Sequence, residues 1–179
     1  MIESRISATN DSALNRTAIA EVAVAGGELV ALTAPTKQGN DVWTAAAPTT
    51  GSLGECWMAY NPSLRITMVG ENEFAGLTED PRNYTNEANR PFDVFKPVLR
   101  DEVVISADCI DDTSAIVSGD ILESKASQTK LTRVAADTGA TSGSTAFKVE
   151  HKYIIPFPAG KGKIGMTQQV GYRIVCIQE

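Results

Sequence analysis

His151 is the only histidine in the chain, so any acid–base or metal chemistry that needs an imidazole must pass through it. Its neighbours argue against that role. Phe147, Val149, His151, Tyr153 and Ile155 alternate along one apolar strand face, where a hydrogen-bonded structural histidine is the expected state. Cys56, Cys109 and Cys176 lie far apart, form no CxxC pair and each sit in an apolar stretch, so they read as small buried hydrophobes in a reducing compartment. The acids Asp101, Glu102, Asp108, Asp111, Asp112 and Asp120 could offer oxygen ligands to calcium, but their spacing is not that of an EF-hand loop. Asp108 to Thr113 reads more simply as a strand end and turn, with Asp side chains bonding nearby backbone. Ala159-Gly160-Lys161-Gly162-Lys163 lacks the Walker spacing and its Ser or Thr, and is read as a turn. Trp43, Trp57, Phe92 and Phe95 could form a stacking surface for a sugar or base; at 6% aromatic residues they are expected to anchor the core. No catalytic, cofactor-binding or metal-binding set emerges, and the expectation is a protein that is not an enzyme and carries no cofactor.

The elements that would position these residues follow a period of two. Ala146 to Ile155 is the clearest strand, and Val170 to Ile177 is apolar on both faces, which places it centrally in a sheet. The Pro- and Gly-rich segment 156–163 should end the first strand and turn the chain into the second as a hairpin. Further strands are expected at Glu28 to Leu32, Cys56 to Tyr60, Leu64 to Val69, Glu102 to Ile110, Asp120 to Glu123 and Thr129 to Val134. Ser12 to Ala20 could form a turn or two of helix. Ala135 to Ser144 has the composition of a flexible loop tip. Gly27-Glu28-Leu29-Val30 and Gly119-Asp120-Ile121-Leu122 echo one another faintly.

The expected fold is therefore all-β: a single small barrel or sandwich of short antiparallel strands, with long loops and an extended N-terminal arm. Residues 1–17 are assigned to the arm, and residues 18–179 to the β-rich domain, with an irregular loop at about 71–91. At 179 residues the chain suits one domain, and its 42% hydrophobic and 21% charged content is that of a folded protein. A net charge of −6 makes nucleic acid an unfavourable partner. The N-terminus has no apolar signal region, and no apolar run approaches the roughly 20 residues of a membrane helix. The charge is uneven: residues 71–123 hold 13 acidic and 4 basic side chains, and residues 145–179 hold 5 basic and 2 acidic, which permits partner-complementary contacts.

Thr78-Glu79-Asp80-Pro81-Arg82-Asn83-Tyr84-Thr85-Asn86-Glu87-Ala88, followed by the segment from Phe95 to Ser106, resembles the pattern of tailed-bacteriophage capsid decoration, or cement, proteins. In that pattern a loop precedes a strand entered through an acidic turn, followed by a strand start such as Val117-Ser118-Gly119-Asp120 and a closing strand such as Val170 to Val175. Pro97 and Arg100, standing where the acidic turn more usually has Gly, and the insertion Asn89-Arg90-Pro91 depart from it. The resemblance implies a non-catalytic structural protein made in the host cytoplasm and added to the outer capsid surface of the virion. Its partners would be the major capsid protein and copies of itself in a homo-oligomer, a trimer among the options, with no nucleic acid and no membrane. Two other classes stay open: a ligand- or carbohydrate-binding β-domain of a phage tail or host-surface protein, and a hydrolase using a cysteine or His151.

Overall fold

The computed structural model describes residues 4–5, 11–35, 42–60, 66–69, 72–75, 85–112, 115–158 and 166–178. In chain order the strands are β1 (Ser4–Arg5), β2 (Asn15–Ala20), β3 (Val24–Ala25), β4 (Leu29–Pro35), β5 (Val42–Ala46), β6 (Cys56–Ala59), β7 (Ile66–Val69) and β8 (Asn72–Ala75). They continue as β9 (Thr85–Asn86), β10 (Pro91–Phe95), β11 (Glu102–Ser106), β12 (Ile121–Glu123), β13 (Thr132–Val134), β14 (Ala146–Pro158) and β15 (Met166–Gln178). Among the described residues the only helical elements are single 3₁₀ turns, so the chain is all-β as its periodicity predicts.

Five strands close a barrel in the order β10-β2-β5-β4-β6, with β6 pairing back onto β10. Its neighbours are antiparallel except β2 and β5, which run parallel. A barrel of so few strands is narrow, and the residues that fill it are correspondingly small: Ala18, Ala20, Ala45 and Ala59 pack with Val24, Val30, Val94 and Phe92. Six further strands form a sheet in the order β1-β11-β15-β14-β12-β13, in which β15 is central, as its two apolar faces predict, while β3 with β9 and β7 with β8 make two separate strand pairs.

The main core lies where this sheet meets the barrel wall. Val103, Ile105, Leu122, Phe147, Val149, Tyr172, Ile174 and Cys176 come from the sheet; Leu29, Cys56, Met58 and Phe95 come from the barrel. Adjacent residues of one barrel strand therefore serve two cores. Leu29 faces the sheet while Val30 fills the barrel, and Phe95 and Val94 divide in the same way. Strands covered on both faces lose the polar alternation by which strands are usually recognised.

The N-terminal reading needs correction. Ser12–Leu14 is one 3₁₀ turn, capped by Asp11, whose carboxylate accepts the Ala13 N–H at 2.8 Å. The chain then enters β2, which pairs with β10 and β5, so Asn15, Arg16 and Thr17 belong to the barrel rather than to an arm. No helix spans Ser12 to Ala20, because burial of Ala18 and Ala20 in the barrel decides the local conformation. Within the stretch expected to be irregular, β8 pairs with β7 and β9 pairs with β3; residues 76–84 lie outside the described residues. The segment 135–144 is tied down rather than loose: Glu123 accepts the Thr141 N–H and hydroxyl, each at 2.8 Å, and the Ser144 hydroxyl at 3.3 Å.

Candidate functional site

Three turns, which lead into β4, β11 and β12, share one hydrogen-bond plan. In Ala25-Gly26-Gly27-Glu28, Val98-Leu99-Arg100-Asp101 and Val117-Ser118-Gly119-Asp120 the fourth N–H donates to the first carbonyl. In each, the fourth residue's carboxylate also accepts the first residue's N–H, at 3.3, 3.0 and 3.0 Å. The third residue has φ of +102° (Gly27), +75° (Arg100) and +98° (Gly119), so a left-handed residue before the acid makes the turn. The faint echo between residues 27–30 and 119–122 thus has a physical basis, and Arg100 occupies a glycine conformation. Gly27 is the more constrained of the two glycines, since an added Cβ would lie 3.2 Å from Ile105 Cγ2 and 3.3 Å from Cys109 Sγ.

The acids weighed against a calcium reading are dispersed along the chain. Asp120 is 2% exposed and accepts Arg133 Nε at 2.6 Å. Burial would raise its pKa, but the hydrogen bonds from Arg133 and the Val117 backbone and the guanidinium charge outweigh that and hold it below the usual value. Asp101 closes its own turn, Glu102 pairs with Arg173, and Asp108, Asp111 and Asp112 are exposed near the end of β11. Among the described residues no group of three or more His, Cys, Asp or Glu side chains could hold a metal ion.

All three cysteines are buried thiols outside any disulfide, and their burial is what their apolar surroundings predict. Burial pushes the Cys56 and Cys109 thiols up to about 11, which keeps them protonated and poorly nucleophilic at neutral pH. Phe92 and Phe95 are core residues, the latter edge-on to Tyr60 at 5.4 Å. Trp57 is half-buried against the barrel core with the Arg16 guanidinium 5.7 Å from its ring, and Trp43 is half-buried on β5. Residues 159–163 lie outside the description.

His151 overturns its expectation: it is exposed. The cause is a β-bulge. Val149 pairs with Ile174 and His151 with Arg173, leaving Glu150 as the extra residue and breaking the alternation that would have turned His151 inward. Glu150 and Glu102 both form ion pairs with Arg173, the former at 2.9 Å, so a charged triad crosses three strands here.

Past this triad, β14 and β15 leave the sheet together. β12 covers only Ala146–Lys148 of β14, and β11 ends at the Ser106–Gly171 pair, yet the two long strands remain paired out to Pro158 and Met166. The strand expected to stop at Pro156 thus continues, because a ribbon with one neighbour tolerates proline where an N–H would face an open edge. On this ribbon Ile154 (53% exposed) and Val170 (37%) are paired directly across the strands. Ile177, at the other end of β15, is exposed as well. Comparison with family models, with curated proteins and with solved structures returned no match.

Proposed function

We propose that the chain is a structural virion protein that binds the outside of a phage capsid and stabilises it as a decoration or cement protein. The observation that carries this reading is where the residues of the resemblance lie. Asn86, Asp101 and Asp120 are among the few buried polar side chains of the molecule. Asn86 donates to the Val24 and Tyr60 carbonyls at 3.1 and 3.4 Å, joining β9 to β3 and to the end of β6. Asp101 and Asp120 close the turns that open β11 and β12. The residues that carry the resemblance to decoration proteins are therefore ones that set the architecture, which supports a structural role. The carbohydrate-binding alternative draws less support, since Trp57 is half-buried and partnered by Arg16.

The test is co-sedimentation with undecorated heads of the phage whose genome carries this gene. Saturable binding at a fixed ratio to the major capsid protein, with heads that resist heat better once bound, is the expected result. Failure to sediment with intact heads at micromolar concentration would overturn the proposal.

A further inference from the structure

We infer that one mouth of the barrel is a binding site for a small organic carboxylate with a flat apolar body. The strand register places three side chains there. β2, β5 and β6 begin, and β4 and β10 end, at the same end of the barrel. Toward this end, the inward residues Ala20 and Ala18 of β2 are followed by Arg16, and Ala45 of β5 by Trp43, which pairs with Ala18. On β6, Ala59 is followed in the same direction by Trp57, which pairs with the inward Val30. Small side chains fill the narrow barrel below, so these larger ones stay half-buried at its rim, with Leu32 of β4 between the two tryptophans. Contact across the rim is direct: the Arg16 guanidinium lies 5.7 Å from the centre of the Trp57 ring. Apolar, aromatic walls around a few convergent polar groups are the usual make-up of a ligand site, and barrel mouths are among its usual places.

Arg16 selects the ligand. Its guanidinium is held by stacking on Trp57 and by one hydrogen bond, donated from Nη1 to the Asn15 carbonyl at 2.8 Å. Among the described residues no carboxylate pairs with it. The donors left over form a planar fork that matches a carboxylate. A neutral sugar would need the indole face that Arg16 already covers, whereas a carboxylate takes the edge of the guanidinium and its apolar body lies against Trp43.

The site does not depend on capsid binding and is tested on the isolated full chain. Trp43 and Trp57 are the only tryptophans of the protein, so indole fluorescence reports on this mouth alone. Phenylacetate should change it saturably, with a dissociation constant of about a millimolar. The similarly shaped but uncharged 2-phenylethanol should bind at least about tenfold more weakly. Arg16→Gln should weaken phenylacetate by about tenfold while unfolding stays cooperative, and Arg16→Lys, which keeps the charge without the fork, should fall between. Trp43→Leu, which leaves Trp57 as reporter, should weaken it by about threefold or more. Asp41, just before β5, lies outside the described residues, and Asp41→Asn should leave the affinity within about threefold of wild type. No saturable change up to about 50 mM phenylacetate, equal affinity for the alcohol, an Arg16→Gln variant that binds like wild type, or a larger gain from Asp41→Asn, which would make that acid the partner of Arg16, would each overturn the site.

Discussion

Removing the Asp120 carboxylate tests whether the acidic turns hold the sheet in place. The Arg133 contact is a charge-assisted hydrogen bond at 2.6 Å, a class that contributes about 1.5–3 kcal/mol, and the bond from the Val117 N–H adds about 1 kcal/mol. The Arg133 side chain is 25% exposed, so water recovers part of the lost attraction. Asp120→Ala should therefore cost about 2–3 kcal/mol, below the figure for breaking a fully buried pair. Asp120→Asn keeps an acceptor for Val117 and loses the charge, so it should cost about 1–2 kcal/mol. For a domain of this size the Ala variant should melt roughly 5–10 °C lower. Urea unfolding followed by tryptophan fluorescence between pH 3 and 8 measures both effects. Because the folded-state pKa lies below the ordinary carboxylate value of about 4, the contribution is complete above that value and is lost as the pH falls through the folded-state value. The gap between wild type and Asp120→Asn should be constant from pH 5 to 8 and narrow in acid. A gap under about 0.5 kcal/mol at pH 7, or one that stays undiminished below pH 4, would refute the reasoning.

Arg100→Gly should raise the urea midpoint by an amount equivalent to about 0.5–1 kcal/mol, since it relieves a side chain held at φ +75° against a smaller entropic penalty for glycine; a lower midpoint would contradict the turn assignment. Gly27→Ala should destabilise the fold more than Gly119→Ala, by about 1 kcal/mol or more, because an alanine Cβ at 119 lies 3.8 Å from Ala136 Cβ whereas that at 27 lies 3.2 Å from Ile105; equal unfolding free energies would argue against the packing around Gly27. The three thiols should resist alkylation at pH 8 until the fold opens, so their labelling by iodoacetamide, read by mass spectrometry, should rise together with denaturant; fast labelling of any one in native buffer would show an open site. Deleting residues 1–10 should leave cooperative unfolding intact, whereas deleting 1–17 removes half of β2 and should abolish it or lower the melting point by more than about 10 °C; equal melting of the two truncations would restore the longer arm.

In the six-stranded sheet β14 was legible because one of its faces meets the core while the other meets charge: Phe147 and Val149 alternate with Lys148 and Glu150 in the sequence as they do in space. The buried cysteines were legible from their apolar neighbours; of the acidic turns the sequence showed only a faint echo between residues 27–30 and 119–122, and Arg100 masks the third. Of the barrel, β4 and β6 were legible as apolar runs and the other three strands were not: β2 and β5 bury alanines, a weak apolar signal, and β10 is a five-residue strand that opens on Pro91. His151 defeated the alternation rule for a different reason: a single extra residue opposite Arg173 reversed its side, and a bulge depends on how two strands pair rather than on either strand alone. Exposure of Ile154 and Val170 was equally invisible, because it follows from where β11 and β12 end and not from anything in β14 or β15. Local pattern determined where the clearest strands lie, since that choice rests on dihedral preference and near neighbours. Which faces are covered, and so which residues are left to meet a partner, was decided only by tertiary pairing, because burial is a property of the neighbours that distant segments supply.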